Sequence, residues 1–341
     1  MISQCSNTVS IDDLNLQDLA TPSDVLDACL PATLSKRELT QSLIPSLAKS
    51  PSDISTIDNA LRQVPTKHRL ICHDSTKADF LAPNSVHLIV TSPPYWTLKQ
   101  YNQSQGQLGD ISEYDQFLEL LDQVWEHCYR ALVPGGRLVC VVGDVCLSRR
   151  KNNGRHTVVP LHASIQEHCR VIGYDNLTPI IWYKIANAAY ESDGGGAGFL
   201  GKPYEPNAVI KNDIEFILME RKSGGYRKPT SSQKLLSVIA EDRYSKWFRQ
   251  IWSDVTGAST KDHPAPYPIE LAERLIRMFS FAGDVVLDPF AGTGTTLIAA
   301  ANAGRNSIGI ELDPDYTKYA ADRIATSCTD LYTQPDIVVS L

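Results

Sequence analysis

No run in the chain approaches the roughly 18 consecutive apolar residues that a membrane-spanning helix needs. The opening MISQCSNTVS has neither the basic nor the apolar stretch of a secretory signal, so a cytoplasmic protein is expected. Eight cysteines include no CxxC pair, which argues against a disulfide framework and a zinc ribbon and for free, mostly buried thiols. His156, His162, His168 and Cys169 crowd together but lack metal-ligand spacing, so no metal is expected. The formal net charge of -7 gives no sign of a nucleic-acid partner, although a total is silent on how charge is distributed. What remains, 43% hydrophobic and 21% charged residues over 341 positions, is an ordinary globular chain long enough for one large α/β domain with an appendage.

Residues 1–65 are rich in Ser, Thr and Leu and are cut by Pro22, Pro31, Pro45, Pro51 and Pro65. Val25, Leu26, Cys29 and Leu30, then Ile54, Ile57 and Leu61, predict two or three short amphipathic helices forming a helical accessory region. From Arg69 onward strands alternate with helices. Strands are expected at Leu70–Cys72, Val86–Val90, 138–144, Leu177–Tyr183, Ile214–Met219, Val285–Leu287 and Ser307–Ile310. Between the second and third, Phe117, Leu121, Val124, Cys128 and Leu132 recur at helical spacing after a capping-box pattern at Ser112 and Asp115; Pro134, Gly135 and Gly136 end that helix. Further helices are expected over Ile269–Phe281, Thr295–Ala303 and Asp315–Ile324. This alternation predicts an α/β fold with a doubly wound, mostly parallel sheet.

In VVLDPFAGTGTT (285–296) a strand, an acid, a glycine turn and a helix start follow one another, and Gly292 and Gly294 allow close approach of backbone to a ligand. Thr295, Thr296 and Leu297 follow where a dinucleotide fingerprint needs its last glycine, so no pyrophosphate cradle is specified. Glu311, at the end of the next strand, suits the two hydroxyls of a ribose. The combination predicts an adenosyl group without a diphosphate. GAGFLGKP (196–203) imitates a phosphate loop but places Pro203 where a magnesium-binding hydroxyl belongs.

The strand Val86–Val90 leads into TSPPYW (91–96) at the carboxyl edge of the sheet, where open α/β sheets bind ligands. Pro93 and Pro94 lack amides, which leaves the carbonyls of Ser92 and Pro93 as acceptors for an exocyclic amino group, and Tyr95 offers a face for a planar base. Taken with DPFAGTGTT and the intervening HPAPYP (263–268), TSPPYW resembles the beta-class DNA amino-methyltransferases, which make N4-methylcytosine or N6-methyladenine from S-adenosyl-L-methionine. The resemblance runs from about Leu70 to Ile324. It implies a permuted, Rossmann-like sheet of seven strands, with a methyltransferase domain over 66–330. That domain comprises a catalytic half (66–220), a target-recognition segment (about 221–262) and a cofactor half (263–325), followed by a tail (326–341).

Carried over by position, the resemblance implies that Ser92, Pro93, Pro94 and Tyr95 are catalytic. Asp288, Phe290, Gly292 and Gly294 would contact the methionine part of the cofactor, His263, Pro264 and Pro266 would help hold its carboxylate, and Glu311 would bind the ribose. Asp74 occupies the adenine-contacting slot, with His73 where a glycine is usual. The leading Ser92 accompanies N4-cytosine more often than N6-adenine. C5-cytosine chemistry would need a thiolate, and no Pro-Cys dipeptide occurs. Double-stranded DNA is the implied partner of a monomer or homodimer in a prokaryotic, nucleoid-associated setting, with room for a cognate restriction endonuclease. Between residues 221 and 249 eight Lys or Arg face two acids, interleaved with Tyr226, Tyr244, Trp247 and Phe248. Arg221, Lys222, Arg227, Lys228, Arg243, Lys246 and Arg249 are therefore the expected DNA contacts. A second basic stretch is SRRKNNGRH, 148–156. Two rival readings stay open at this point: the same fold acting on RNA, and a catalytically silent, cofactor-binding DNA recognition module, which the intact SPPY disfavours.

Overall fold

A computed structural model describes residues 9–96, 106–147, 149, 152–184, 212–257, 267–328 and 332–341. Its strands are β1 (Lys67–Cys72), β2 (Val86–Thr91), β3 (Leu132–Val142), β4 (Val145–Leu147), β5 (Thr157–Val159), β6 (Tyr174–Tyr183), β7 (Ile214–Lys222), β8 (Ile251–Trp252), β9 (Val285–Asp288), β10 (Asn306–Glu311) and β11 (Asp336–Ser340). Nine of them form one sheet in the order β11-β1-β10-β9-β2-β3-β7-β6-β8, and β4 pairs with β5 separately. Seven strands were expected; the other two are short additions, one at each edge. The residues read as a tail thus include β11, parallel to β1, where Arg69 binds the Asp336 carboxylate at 2.9 Å.

All the strands from β11 through β3 run parallel, whereas β7 is antiparallel to both of its neighbours. Consequently the carboxyl ends of β1, β10, β9, β2 and β3 share one edge of the sheet with the start of β7, while the end of β7, at Arg221 and Lys222, lies at the opposite edge. Alternate residues of β2 go to opposite faces. Ile89 joins a cluster with Leu121, Trp125 and Leu138 under helices Tyr114–Ala131 and Leu161–Ile172. Leu88 and Val90 join Leu271, Leu275 and Ala300 under helices Ile269–Phe279 and Thr295–Asn302.

Two local expectations are corrected. The helix Tyr114–Ala131 begins after Glu113 with no side-chain cap, so Ser112 and Asp115 form no capping box. Pro134, Gly135 and Gly136 do not separate helix from strand: β3 starts at Leu132, and these residues form an irregularity between the pairs Val86–Leu132 and Leu88–Arg137. The N-terminal region forms four helices, Ser23–Cys29, Ala32–Ser35, Leu43–Ala48 and Pro51–Leu61, which share one apolar cluster with the body of the protein. Leu26, Leu47, Ile57 and Leu61 pack on Leu235, Leu236 and Ala282, and Leu14, Leu16 and Leu19 enter the main core.

Candidate active site

Strand order reverses between β9 and β2. From β9 the chain moves through helix Thr295–Asn302 to β10 on one side, and from β2 through helix Tyr114–Ala131 to β3 on the other. The crevice beyond the carboxyl ends of such a pair is where α/β sheets take ligands. A cavity lies there, lined among others by Asp74, Ser92, Pro94, Phe290, Gly292 and Glu311. Six residues singled out in four separate sequence segments therefore meet around one space. Gln107, Leu108 and Tyr316, which carried no sequence signal, complete part of its wall.

Glu311 takes the Gly292 amide at 2.8 Å on one oxygen and the Asp313 amide at 2.9 Å on the other. Burial raises its pKa, and these two amides pull the other way. Each oxygen keeps lone pairs for further donors. Asp74 caps a short turn, accepting from the Thr76 amide at 3.0 Å and hydroxyl at 2.7 Å. Burial pushes its pKa up, but Thr76 and Lys77 outweigh it and hold the group below the usual carboxylate range. Gly292 and Gly294 both have positive φ, +52° and +78°. A Cβ on Gly294 would sit 3.1 Å from the Ala320 Cβ, so this glycine seats the turn against helix Pro314–Ser327.

Asp288 has a different place from the one expected. Its carboxylate is 1% exposed and is not among the residues lining the cavity. Oδ1 accepts from Thr91 Oγ1 at 2.7 Å and the Phe290 amide at 3.0 Å; Oδ2 accepts from Thr296 Oγ1 at 2.5 Å and Tyr267 Oη at 3.2 Å. It thus ties TSPPYW, HPAPYP and the glycine turn together from beneath. Thr91, Tyr267 and Thr296 were given no part in the site by the sequence, although each stands inside a motif. His263, Pro264 and Pro266 lie outside the described residues, as does GAGFLGKP.

In the tetrad, Ser92 Oγ donates to Tyr95 Oη at 3.3 Å. Tyr95 is buried, and Trp96 beyond it takes φ +45°, a left-handed conformation costing about 1 kcal/mol or more for such a residue. Its ring meets Tyr114 edge-on at 5.0 Å. Among the described residues no cysteine lines the cavity, and burial pushes the thiols of Cys128, Cys140 and Cys169 up, away from thiolate chemistry.

Residues 86–322 match the family model described as DNA methylase. The chain belongs to the DNA methylase family. Over 290 residues the methylase is 36% identical to the type II methyltransferase M.MjaI of Methanocaldococcus jannaschii, a match covering 76% of this chain and 92% of the relative. The protein TTHA0409 of Thermus thermophilus, solved with S-adenosyl-L-methionine, is 50% identical with a TM-score of 0.65, over 80% of this chain and 99% of that one. The cytosine-N4-specific PvuII DNA methyltransferase has 17% identity and a TM-score of 0.54 over 81% and 96% of the two chains, a likeness of fold.

The cations expected to hold DNA are not brought to this cavity. Arg221 pairs with Asp175 at 2.8 Å, and Lys222 donates to the Leu132 carbonyl at 2.7 Å, both at the opposite sheet edge. Arg227 pairs there with the buried Asp284, and Arg243 binds Asp58 at 2.8 Å. Lys228, Lys246 and Arg249 are exposed, outside the cavity wall. His162 bonds Asp144 at 2.6 Å and stacks on Phe216, while His168 bonds Asp122 at 2.8 Å. Among the described residues no cluster could hold a metal, and no helix is long and apolar enough to cross a membrane.

Proposed function

We propose that the methylase transfers a methyl group from S-adenosyl-L-methionine to the exocyclic N4 of a cytosine flipped out of duplex DNA. The observation that carries this reading is the meeting of Ser92 and Pro94 with Glu311 and Gly292 around one cavity. The cavity residues suit the cofactor: Glu311 retains acceptor capacity for the ribose hydroxyls, Asp74 stands by for the adenine, and Phe290 and Gly292 border the place for the methionine part. The T. thermophilus relative holding S-adenosyl-L-methionine and the type II M.MjaI support it. The bound cofactor supplies a methyl group on a positively charged sulfur.

The chain's own residues then align the amine. Its lone pair is delocalised into the ring, so the nitrogen is a weak nucleophile until two acceptors pull it toward tetrahedral geometry. The Ser92 hydroxyl donates its proton to Tyr95 and so keeps its lone pairs for an amine N–H; the Pro93 carbonyl takes the other. So held by Ser92 and Pro93, the nitrogen lone pair would be free to take the methyl group that the cofactor would supply, and the surplus N–H proton would pass to water. Catalysis by this arrangement is alignment and electrostatics, with no covalent enzyme intermediate. The choice of cytosine rests on the neutral Ser92.

Tyr95→Ala is expected to keep cofactor affinity and lose single-turnover rate, by the roughly 1 to 3 kcal/mol of a lost base-stacking surface. Ser92→Ala should slow methyl transfer as well. Single-turnover rates equal to wild type in both variants would remove the tetrad from the mechanism.

A further inference from the structure

A buried carboxylate with no part in the chemistry described so far stands beside the tetrad. Because β7 runs antiparallel to β3, its first residues lie next to the end of β3 at the catalytic edge, with Phe216 opposite Val142. Glu215 therefore comes level with Gly143. A Cβ on Gly143 would sit 3.4 Å from Glu215 Cγ, 3.8 Å from Glu215 Oε1 and 3.7 Å from Tyr95 Cε2, all ordinary contact distances. The carboxylate and the tetrad's aromatic ring thus border one small space, which Gly143 keeps clear by having no side chain.

Glu215 is 6% exposed. Its Oε1 accepts from the ammonium of Lys184, which follows β6 just beyond the Trp182–Glu215 pair, and among the described residues no donor reaches Oε2. A carboxylate oxygen in so buried a side chain ordinarily has a partner, because burial strips it of water. Lys184 fixes the charge without cancelling it at the tetrad: its side chain is 42% exposed against 8% for Glu215, so solvent screens the ammonium more than the carboxylate. Asp144, next along the chain from Gly143, is by contrast engaged with His162 at 2.6 Å. Glu215 is left as a negative charge already in place beside Tyr95, with one oxygen uncommitted.

An exocyclic amine gains positive charge as its new N–C bond forms, since a neutral nitrogen becomes bonded to a fourth group. Ser92, at the head of the tetrad, is neutral and meets that charge with a dipole only. A carboxylate fixed in advance stabilises it more strongly and needs no reorganisation when the reaction occurs. We infer that Glu215, held by Lys184, borders the pocket of the flipped base and turns its carboxylate to the exocyclic amine, stabilising the positive charge that builds there, while Gly143 gives the base its room beside Tyr95. Glu215 takes no proton in this step, and the surplus N–H proton still passes to water. The inference rests on the proposed methylation of a DNA base.

Single-turnover methylation of duplex DNA by the full-length protein, with S-adenosyl-L-methionine affinity measured separately, tests this role. Glu215→Gln keeps the shape of the side chain and removes its charge. The methyl-transfer rate should fall on the order of tenfold, the effect of one buried charge acting across several ångströms on a developing one. Cofactor affinity should equal wild type, because Glu215 is not in the cavity wall. Lys184→Gln breaks the same ion pair but leaves the carboxylate, and should slow the step less than Glu215→Gln does. A wild-type rate in Glu215→Gln would overturn the inference, and so would equal losses in the two variants, which would make the pair a structural clamp. If Glu215→Gln does not fold, Gly143→Ala takes its place: the added Cβ makes only ordinary contacts with the protein, yet takes room from the base. Its rate should fall with cofactor affinity intact, and a wild-type rate there would overturn the placement of the pocket. Absence of base methylation by the wild-type chain would instead sink the activity on which the inference rests.

Discussion

Replacing Asp288 by Ala should destabilise the protein by about 4 kcal/mol or more and abolish S-adenosyl-L-methionine binding, although this side chain does not line the cavity. Four donors converge on the buried carboxylate, and each buried donor left unpaired costs roughly 1 to 3 kcal/mol. The hydroxyls of Thr91, Thr296 and Tyr267 can reorient in part, whereas the Phe290 amide cannot. Loss of that amide bond releases the turn carrying Phe290 and Gly292, and with it the cradle. Asp288→Asn should cost much less, because a carboxamide keeps one acceptor for Thr91 and Phe290 while its NH₂ meets hydroxyls able to accept. Urea unfolding alongside calorimetric titration with the cofactor checks both variants. Equal midpoints for wild type and Asp288→Ala would remove Asp288 as the tie between the three motifs.

Arg227→Glu should lower stability by about 3 kcal/mol and leave the DNA affinity of the folded protein unchanged. Asp284 is 1% exposed and also accepts from the Phe281 amide at 2.6 Å, so reversing its partner leaves two carboxylates facing each other at the foot of β9. Breaking a buried ion pair costs roughly 3 to 5 kcal/mol, and the lower figure applies because Arg227 is partly exposed. Denaturant midpoints, with DNA titrations below the transition, separate the two effects. A wild-type midpoint with weakened DNA binding would return Arg227 to the substrate surface.

The site was legible where the chemistry is local. A strand running into SPPY, or into a glycine turn closed by an acid, announces its own geometry, and Ser92, Gly292 and Glu311 stand around the cavity expected of them. Where three-dimensional context decides, the sequence was mute. Counting charges between 221 and 249 suggested a DNA surface, but β7 runs antiparallel and delivers Arg221 and Lys222 to the far edge. The acids that engage Arg227 and Arg243 lie 57 and 185 residues away in the chain. The bonds of Asp288 to Thr91 and Tyr267 were hidden for the same reason: Thr91 comes beside it through the β2–β9 pairing, and Tyr267 approaches from 21 residues away in the chain. The edge strands β8 and β11 escaped notice because two and five residues give too little periodicity to separate strand from loop. The N-terminal helices were visible as pieces, but their burial against Leu235 and Leu236 depends on contacts no local pattern encodes.

Methylation of the exocyclic amine of a DNA base at this cavity is tested most directly by incubating the purified chain with duplex DNA and S-adenosyl-L-methionine carrying an isotopically labelled methyl group. The DNA is then digested and its nucleosides are resolved by mass spectrometry. Label in N4-methylcytosine is the predicted result. Label in N6-methyladenine alone would keep the mechanism and overturn the base; label in 5-methylcytosine, or none in DNA, would contradict the activity itself.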